Sequence, residues 1–235
     1  MTKRVFVFRV IGNRNIGLGH IYRALTIASE FKNDKIIFVS DFTNRDKLVN
    51  LVPNKYDILI FEKSKIVNSI IRINPFVVFN DILSTKINDV QPLKKNGIKV
   101  INFEDLGKGS KYADLTVNEI FDKPLNKFTG VIWGSKYFFL RKEFENVKPN
   151  KFRKKIRNII VTFGGSDQFN LTLKTYEIIK DICKEKKIKI QIVVGPAYEF
   201  YDLLLKRTYD DNNVEIHHST GIISSLSVIT SGISF

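Results

Sequence analysis

Short apolar runs alternate with amphipathic stretches over roughly the first half of the chain, and this alternation limits the possible folds more than any other feature. Strands are expected at Val5–Val10, Lys35–Val39, Ile58–Phe61, Phe76–Asn80 and Lys99–Phe103, with a shorter one at Leu115–Val117. Helices are expected between them at Ile21–Phe31, Arg45–Leu51, Lys63–Arg72 and Ile87–Asn96. Strands separated by single helices form βαβ units, and successive units form a mainly parallel sheet covered by helices. Ligands of such sheets bind beyond the carboxyl ends of the strands. His20, Ser40-Asp41, Asn80-Asp81 and Glu104-Asp105 therefore fall on one rim.

A second series begins after the basic, polar stretch Lys148 to Arg157. Ile159 to Phe163 reads as a strand, Gly164-Gly165-Ser166-Asp167 as a turn and Leu171 to Lys184 as a helix. Strands at Lys189–Val194 and Val214–His217 follow, with a helix at Glu199–Arg207 between them. The expected organisation is α/β, with two Rossmann-like domains at 1–147 and 148–235. Few strands remain for the second domain, which is expected to be truncated. A last strand, Leu226–Ile229, would lie near an open edge, an aggregation hazard, and the truncation would leave nucleotide binding weak.

Composition removes several classes. At 43% hydrophobic residues the 235-residue chain can build a packed core. No run approaches the 18–20 apolar residues of a membrane span, and the apolar start ends at Arg9, so it reads as a first strand rather than a leader. One cysteine, Cys183, forms no internal disulfide and has no zinc-ligand spacing around it; a structural role in a helix is expected. A cytoplasmic location is expected. The net charge of +14 suits anionic ligands or surfaces. The lysines are scattered, however, and the clusters Lys151–Arg157 and Lys184–Lys189 read as solvated faces with at most peripheral membrane contact and no nucleic-acid site.

The chemistry concentrates in two loops. Ile16-Gly17-Leu18-Gly19-His20-Ile21-Tyr22-Arg23 follows the first strand and opens the first helix. Glycines allow a sharp turn and close ligand approach, the helix start offers unpaired N–H groups, and histidine exchanges protons near neutral pH. A phosphate or sugar held near a base is one reading; a plain βα turn with a surface histidine is the other. Gly164, Gly165 and Ser166 repeat the idea before the second-domain helix, where Asp167, alone or with Asn170, would cap. Asp81 and Glu104-Asp105 would hydrogen-bond sugar hydroxyls or orient His20, or serve only as loop caps. Tyr137 and Arg141 would contact ligand, or Tyr137 and Phe138 would pack a domain hinge. His217 and His218, adjacent on a strand, face opposite ways and would not share a metal. No nucleophile triad, Walker loop or metal-binding helix is visible.

Four segments in order carry a family resemblance: Arg9 with Ile16 to Arg23, Phe103 to Asn118, Gly134 to Phe144, and Val161 to Thr172. Together they resemble the UDP-sugar hydrolases of pseudaminic-acid synthesis and the related spore-coat polysaccharide biosynthesis proteins. The resemblance implies a GT-B-like fold, akin to the glycosyltransferase that makes the lipid-linked peptidoglycan precursor. It implies metal-independent removal of UDP from a 2,4-diacetamido-2,4,6-trideoxyhexose, without a cofactor. His20 matches the catalytic histidine and would take a proton from the attacking water. Gly17, Gly19, Arg23, Asp81 and Tyr137 would bind the sugar side, and Gly164, Gly165, Ser166 and Asn170 the diphosphate and nucleotide. A monomer is expected. Two departures stand out. Ile11 occupies the place of an acidic residue in the family's Arg-x-Asp pattern, and the family's second domain continues through a glycine-rich loop and an acidic ribose contact. A glycosyltransferase of the same layout, using a sugar or lipid hydroxyl in place of water, and an inactive remnant are the alternatives.

Overall fold

The computed structural model describes residues 3–12, 16–139, 155–195 and 197–218. It divides into two compact units, Met1–Glu145 and Asn146–Phe235. The first unit holds a seven-stranded sheet: β1 (Val5–Val10), β2 (Lys35–Asp41), β3 (Asp57–Phe61), β4 (Val77–Asp81), β5 (Lys99–Phe103), β6 (Leu115–Asn118) and β7 (Val131–Trp133). Four helices connect them: α1 (Gly19–Ala28), α2 (Arg45–Leu51), α3 (Ile66–Ile73) and α4 (Ile87–Lys95). The strand order is β3-β2-β1-β4-β5-β6-β7, and every pairing is parallel.

The order reverses between β1 and β4: β2 and β3 extend the sheet on one side of β1, and β4 to β7 on the other. A crevice opens at the carboxyl ends of strands where the order reverses. The register pairs Val10 with Asp81 there, so the loop entering α1 and the end of β4 meet at that point.

Alternation along each strand sorts the core into two layers. Phe6, Phe8, Val10, Phe38, Phe79 and Phe103 face α1 and α2 with Ile21, Ala24 and Leu48. Phe8 stacks on Phe38 at 5.4 Å and on Phe79 at 4.6 Å, and Phe79 stacks on Phe103 at 6.3 Å. The opposite face packs Val7, Ile37, Val39, Val78 and Val100 against Ile66, Ile70, Val90 and Leu93 of α3 and α4. Sheets buried on both faces read as near-continuous apolar runs, which is why these strands are legible in the sequence. β7 is not among the expected strands; it has three residues and follows an irregular stretch, so its pattern is too short to register. α1 ends at Ala28, three residues before the expected Phe31.

The second unit holds a parallel three-stranded sheet in the order β10-β9-β8, from β8 (Asn158–Thr162), β9 (Lys189–Val194) and β10 (Val214–His218). It carries α5 (Leu171–Glu185) and α6 (Tyr201–Thr208). Val161, Leu173, Tyr176, Cys183, Ile190, Ile192 and Leu204 form its core. Cys183 is buried there, and burial pushes its thiol pKa up, the behaviour of an inert structural thiol. Leu226–Ile229, Arg141 and most of the Lys151–Arg157 cluster lie outside the described residues.

Candidate active site

Three neighbouring parallel strands each end in a carboxylate on the rim of the first unit. Asp81 is the last residue of β4, Glu104 follows β5, and Glu119 follows β6. Glu104 reaches its place through a left-handed backbone, φ 48°, a conformation uncommon outside glycine and found at sites where structure overrides local preference. That turn separates two adjacent acids. Glu104 goes to the α1 side, while Asp105 accepts hydrogen bonds from Thr85 N at 2.8 Å, Thr85 Oγ1 at 2.5 Å, Gly107 N at 2.8 Å and Asn102 Nδ2 at 2.7 Å. Asp105 thus ties the loop after β4 to the loop after β5. Gly107 is required by packing: a Cβ there would sit 2.2 Å from Thr85 O.

Arg23 from α1 spans the three carboxylates. Its Nε donates to Asp81 Oδ2 at 2.7 Å and its Nη2 to Asp81 Oδ1 at 2.6 Å. Nη2 also donates to Glu104 Oε2 at 3.1 Å, and Nη1 reaches Glu119 Oε1 at 2.6 Å and Glu104 Oε1 at 2.8 Å. Four hydrogen bonds and one further ion-pair contact thus join the guanidinium to the three carboxylates. The family resemblance implies sugar contact for Arg23; here its guanidinium meets the three carboxylates, with its Cζ 5.5 Å from the Phe103 ring centroid. Burial alone would lower the arginine pKa, but the hydrogen bonds and charges of Asp81 and Glu104 outweigh it and push it up.

His20 lies three residues before Arg23, hence on the same helix face. It is buried, and its Nδ1 is 2.6 Å from Asp81 Oδ1. Both Asp81 oxygens already accept from Arg23, so the carboxylate is ionised and can only accept. Nδ1 therefore carries the proton and Nε2 the lone pair. Nε2 has no hydrogen-bond partner among the described residues. The approach of Arg23 Nη2 to Nδ1, 3.3 Å, is then a contact between two donors, tolerated because both are anchored on Asp81. Asp81, read from the sequence as a sugar ligand or as the residue orienting His20, contacts His20 and Arg23 here.

Among the described residues no side chain caps the start of α1. Leu18, at the N-cap, makes no side-chain cap, and no acidic residue stands in the first turn of α1. Gly17 has φ 86°, a conformation that favours glycine, and a Cβ at Gly19 would meet nothing within 4 Å. Tyr137 is half-buried against the aromatic core of the same sheet face, with Lys136 Nζ 4.9 Å from its ring centroid. Glu119 escaped sequence reasoning altogether. The only signal was a polar pair, Asn118-Glu119, at the end of a short strand.

In the second unit Gly164 has φ 76° and lies in the turn after β8. Asp167 caps α5, accepting from Leu171 N at 2.8 Å and Thr172 N at 2.7 Å. Two of the helix's free amides are thus engaged by a carboxylate. Asn170 does not cap; its Oδ1 accepts from Tyr198 Oη at 2.6 Å. The turn with Gly165 and Ser166 meets the loop after β9, where Ala197 N donates to Gly165 O at 3.0 Å. A Cβ on Gly195 would fall 2.4 Å from Gly165 Cα. His217 and His218 do not join a common site: His217 Nε2 is 3.5 Å from Glu215, and His218 packs on Tyr201. Among the described residues no group of three or more His, Cys, Asp or Glu is placed to hold a metal ion, and no helix is long and apolar enough to cross a membrane.

No protein-family model matches the chain. It is 30% identical to the uncharacterized protein MJ1062 of Methanocaldococcus jannaschii, over 92% of this chain and 48% of that one. It is 23% identical to the spore coat polysaccharide biosynthesis protein SpsG of Bacillus subtilis, over 83% of this chain and 61% of that one. The chain thus spans about half to three-fifths of the length of these relatives. Among solved structures it is similar to MurG of Acinetobacter baumannii, with TM-score 0.58, 13% identity, and coverage of 95% of this chain and 70% of MurG. It is also similar to UGT2 of Phytolacca americana, solved with UDP-2-fluoroglucose and pterostilbene, with TM-score 0.55, 8% identity, and coverage of 97% and 74%. These likenesses establish an α/β fold of the GT-B glycosyltransferase type, built on one seven-stranded and one three-stranded parallel sheet.

Proposed function

We propose that the chain belongs to a GT-B-type enzyme acting on a UDP-sugar in surface-polysaccharide biosynthesis, and that it is a hydrolase with His20 as general base. The observation that carries this reading is the His20–Asp81 contact at the point where strand order reverses. A carboxylate fixes the Nδ1–H tautomer and leaves Nε2 as the proton acceptor. Nε2 takes a proton from water as the water oxygen bonds to the anomeric carbon. The bond from that carbon to the β-phosphate oxygen breaks, and UDP leaves with the electron pair. The imidazolium then returns its proton to solvent. Gly17 and Gly19 leave room beside the uncapped start of α1 for the sugar or phosphate, with Tyr137 on the same sheet face. Gly164, Gly165, Ser166 and Asn170 are assigned to the diphosphate and nucleotide. The substrate assigned is a UDP-2,4-diacetamido-2,4,6-trideoxyhexose, by the family resemblance and the similarity to the spore-coat protein.

The test is turnover of that UDP-sugar in ¹⁸O-labelled water, at substrate raised until the rate saturates. Label in the free sugar and none in UDP is expected, with His20→Ala slower by about 10²–10⁴-fold. Label in UDP, or a near-normal rate in His20→Ala, would remove His20 from this role. A transferase reading has one observation in its favour. Ile16, Phe42, Leu83, Leu106 and Ile120, on successive rim loops, are exposed apolar side chains suited to an apolar acceptor. UDP release that depends on an added lipid or sugar acceptor would favour it over hydrolysis.

A further inference from the structure

Three carboxylates surround one guanidinium, and they are not equally served. Asp81 accepts two hydrogen bonds from Arg23 and faces His20 Nδ1. Glu104 meets Arg23 with both oxygens, and 16% of its side chain is exposed. Glu119 meets Arg23 with Oε1 alone and is only 3% exposed. Its Oε2 is buried and has no hydrogen-bond partner among the described residues.

Charge counting sharpens the contrast. With all three acids ionised and His20 neutral, one arginine leaves the cluster at a net charge of minus two. Like charges gathered in one buried site cannot all ionise freely, so one of them retains a proton. The acid that retains it is the one with the fewest donors, which is Glu119: it is nearly as buried as Asp81, but only one of its oxygens meets a donor. A buried anionic oxygen without a donor is costlier than a neutral acid whose carbonyl still accepts from Arg23. Burial first, then the negative charges of Glu104 and Asp81, raise the Glu119 pKa against the opposing pull of Arg23. With Glu119 neutral the cluster carries minus one, and it becomes neutral when His20 takes up a proton.

We propose that Glu119 is a positioning residue for His20: as the neutral acid it anchors Arg23 without adding a third negative charge, and on ionising it strengthens the hold of His20 on a proton, so that the two groups titrate as a coupled pair. The coupling runs through Arg23 from α1 and Asp81 at the end of β4, with Glu104 after β5 as the other charged group in the cluster. The inference builds on the assignment of His20 as base, but its test needs no turnover.

The chain has three histidines, so the His20 ring nitrogens are assigned in a ¹⁵N-histidine NMR spectrum by their loss in His20→Gln. In the unsubstituted chain the His20 signal should titrate with two inflections, as expected of groups that interact. In Glu119→Gln, which keeps the shape and the carbonyl acceptor, it should titrate once, with a midpoint lower by about one to two pH units. That is the scale expected for charges separated by a single guanidinium at an effective dielectric near 20. Superimposable His20 curves in the two proteins would overturn the proposal. Should Glu119→Gln not fold, ¹³C-carboxyl glutamate labelling of the unsubstituted chain decides. A Glu119 carboxyl carbon that titrates above the other glutamates supports the proposal, and one that titrates with them overturns it. Coupled titration without UDP-sugar turnover would sink the hydrolase assignment alone; turnover without coupling would sink this inference alone.

Discussion

Asp81→Asn is the substitution that bears most directly on the candidate site. Asp81 receives two donors from Arg23 at 2.7 and 2.6 Å and faces the His20 Nδ1 proton at 2.6 Å, with its side chain 2% exposed. An asparagine of the same volume offers one acceptor oxygen and turns an NH₂ toward donors already in place. Removing one partner of a buried pair costs about 3–5 kcal/mol. Arg23 keeps Glu104 and Glu119, so the lower end, about 3 kcal/mol, applies. For a domain of this size that corresponds to a fall in Tm of about 6–12 °C. The amide also removes the acceptor that fixes the tautomer. His20 should then lose its Nδ1–H preference, and turnover should fall within the range of general-base loss, about 10²–10⁴-fold. Calorimetry gives the first quantity and the ¹⁵N pattern of the His20 ring the second. A Tm within about 2 °C of the parent together with an unchanged Nδ1–H tautomer would show that Asp81 neither anchors Arg23 nor orients His20, and the site argument would fail with it.

Gly107→Ala places a Cβ 2.2 Å from Thr85 O, an overpacking that should cost about 1–3 kcal/mol in urea unfolding; an unchanged midpoint would show the loop to be freely adjustable. Asp167→Asn removes the charged cap of α5 and one of its two acceptors; a loss of about 1 kcal/mol is expected, visible as faster amide exchange at Leu171 and Thr172. Gly195→Ala drives a Cβ against Gly165, so calorimetric UDP affinity should fall by more than the loss of thermal stability explains if this turn seats the diphosphate. The raised Glu119 pKa means that the folded state binds the proton more tightly than the unfolded chain. That preference favours the fold at acid pH and fades as pH rises from the ordinary glutamate range through the raised value. Stability of the unsubstituted chain should therefore fall relative to Glu119→Gln over that window, and parallel pH–stability curves would contradict it.

Local pattern was enough for most of the architecture. Buried parallel strands such as Ile36 to Val39 and Val77 to Phe79 are apolar on both faces, and α3 and α4 alternate with them at helical spacing, so βαβ order and the rim assignments of His20, Asp81 and Glu104-Asp105 follow from the sequence. Signals that depend on length or on distant partners were not legible. β7, with three residues, carries too little pattern to register. Glu119 looks like any acid after a strand until the sheet order sets β4, β5 and β6 side by side. The sequence equally showed that Arg23 stands one turn after His20, on its face of the helix. It could not show that three strand ends converge on that arginine, or that the left-handed turn at Glu104 sends one acid to the guanidinium and the next, Asp105, to the Thr85 loop. Hydrophobic periodicity is a local property, written in consecutive residues. The pairing of buried charges depends on residues 58 to 96 positions apart, and only the packed sheet decides which of them share one guanidinium.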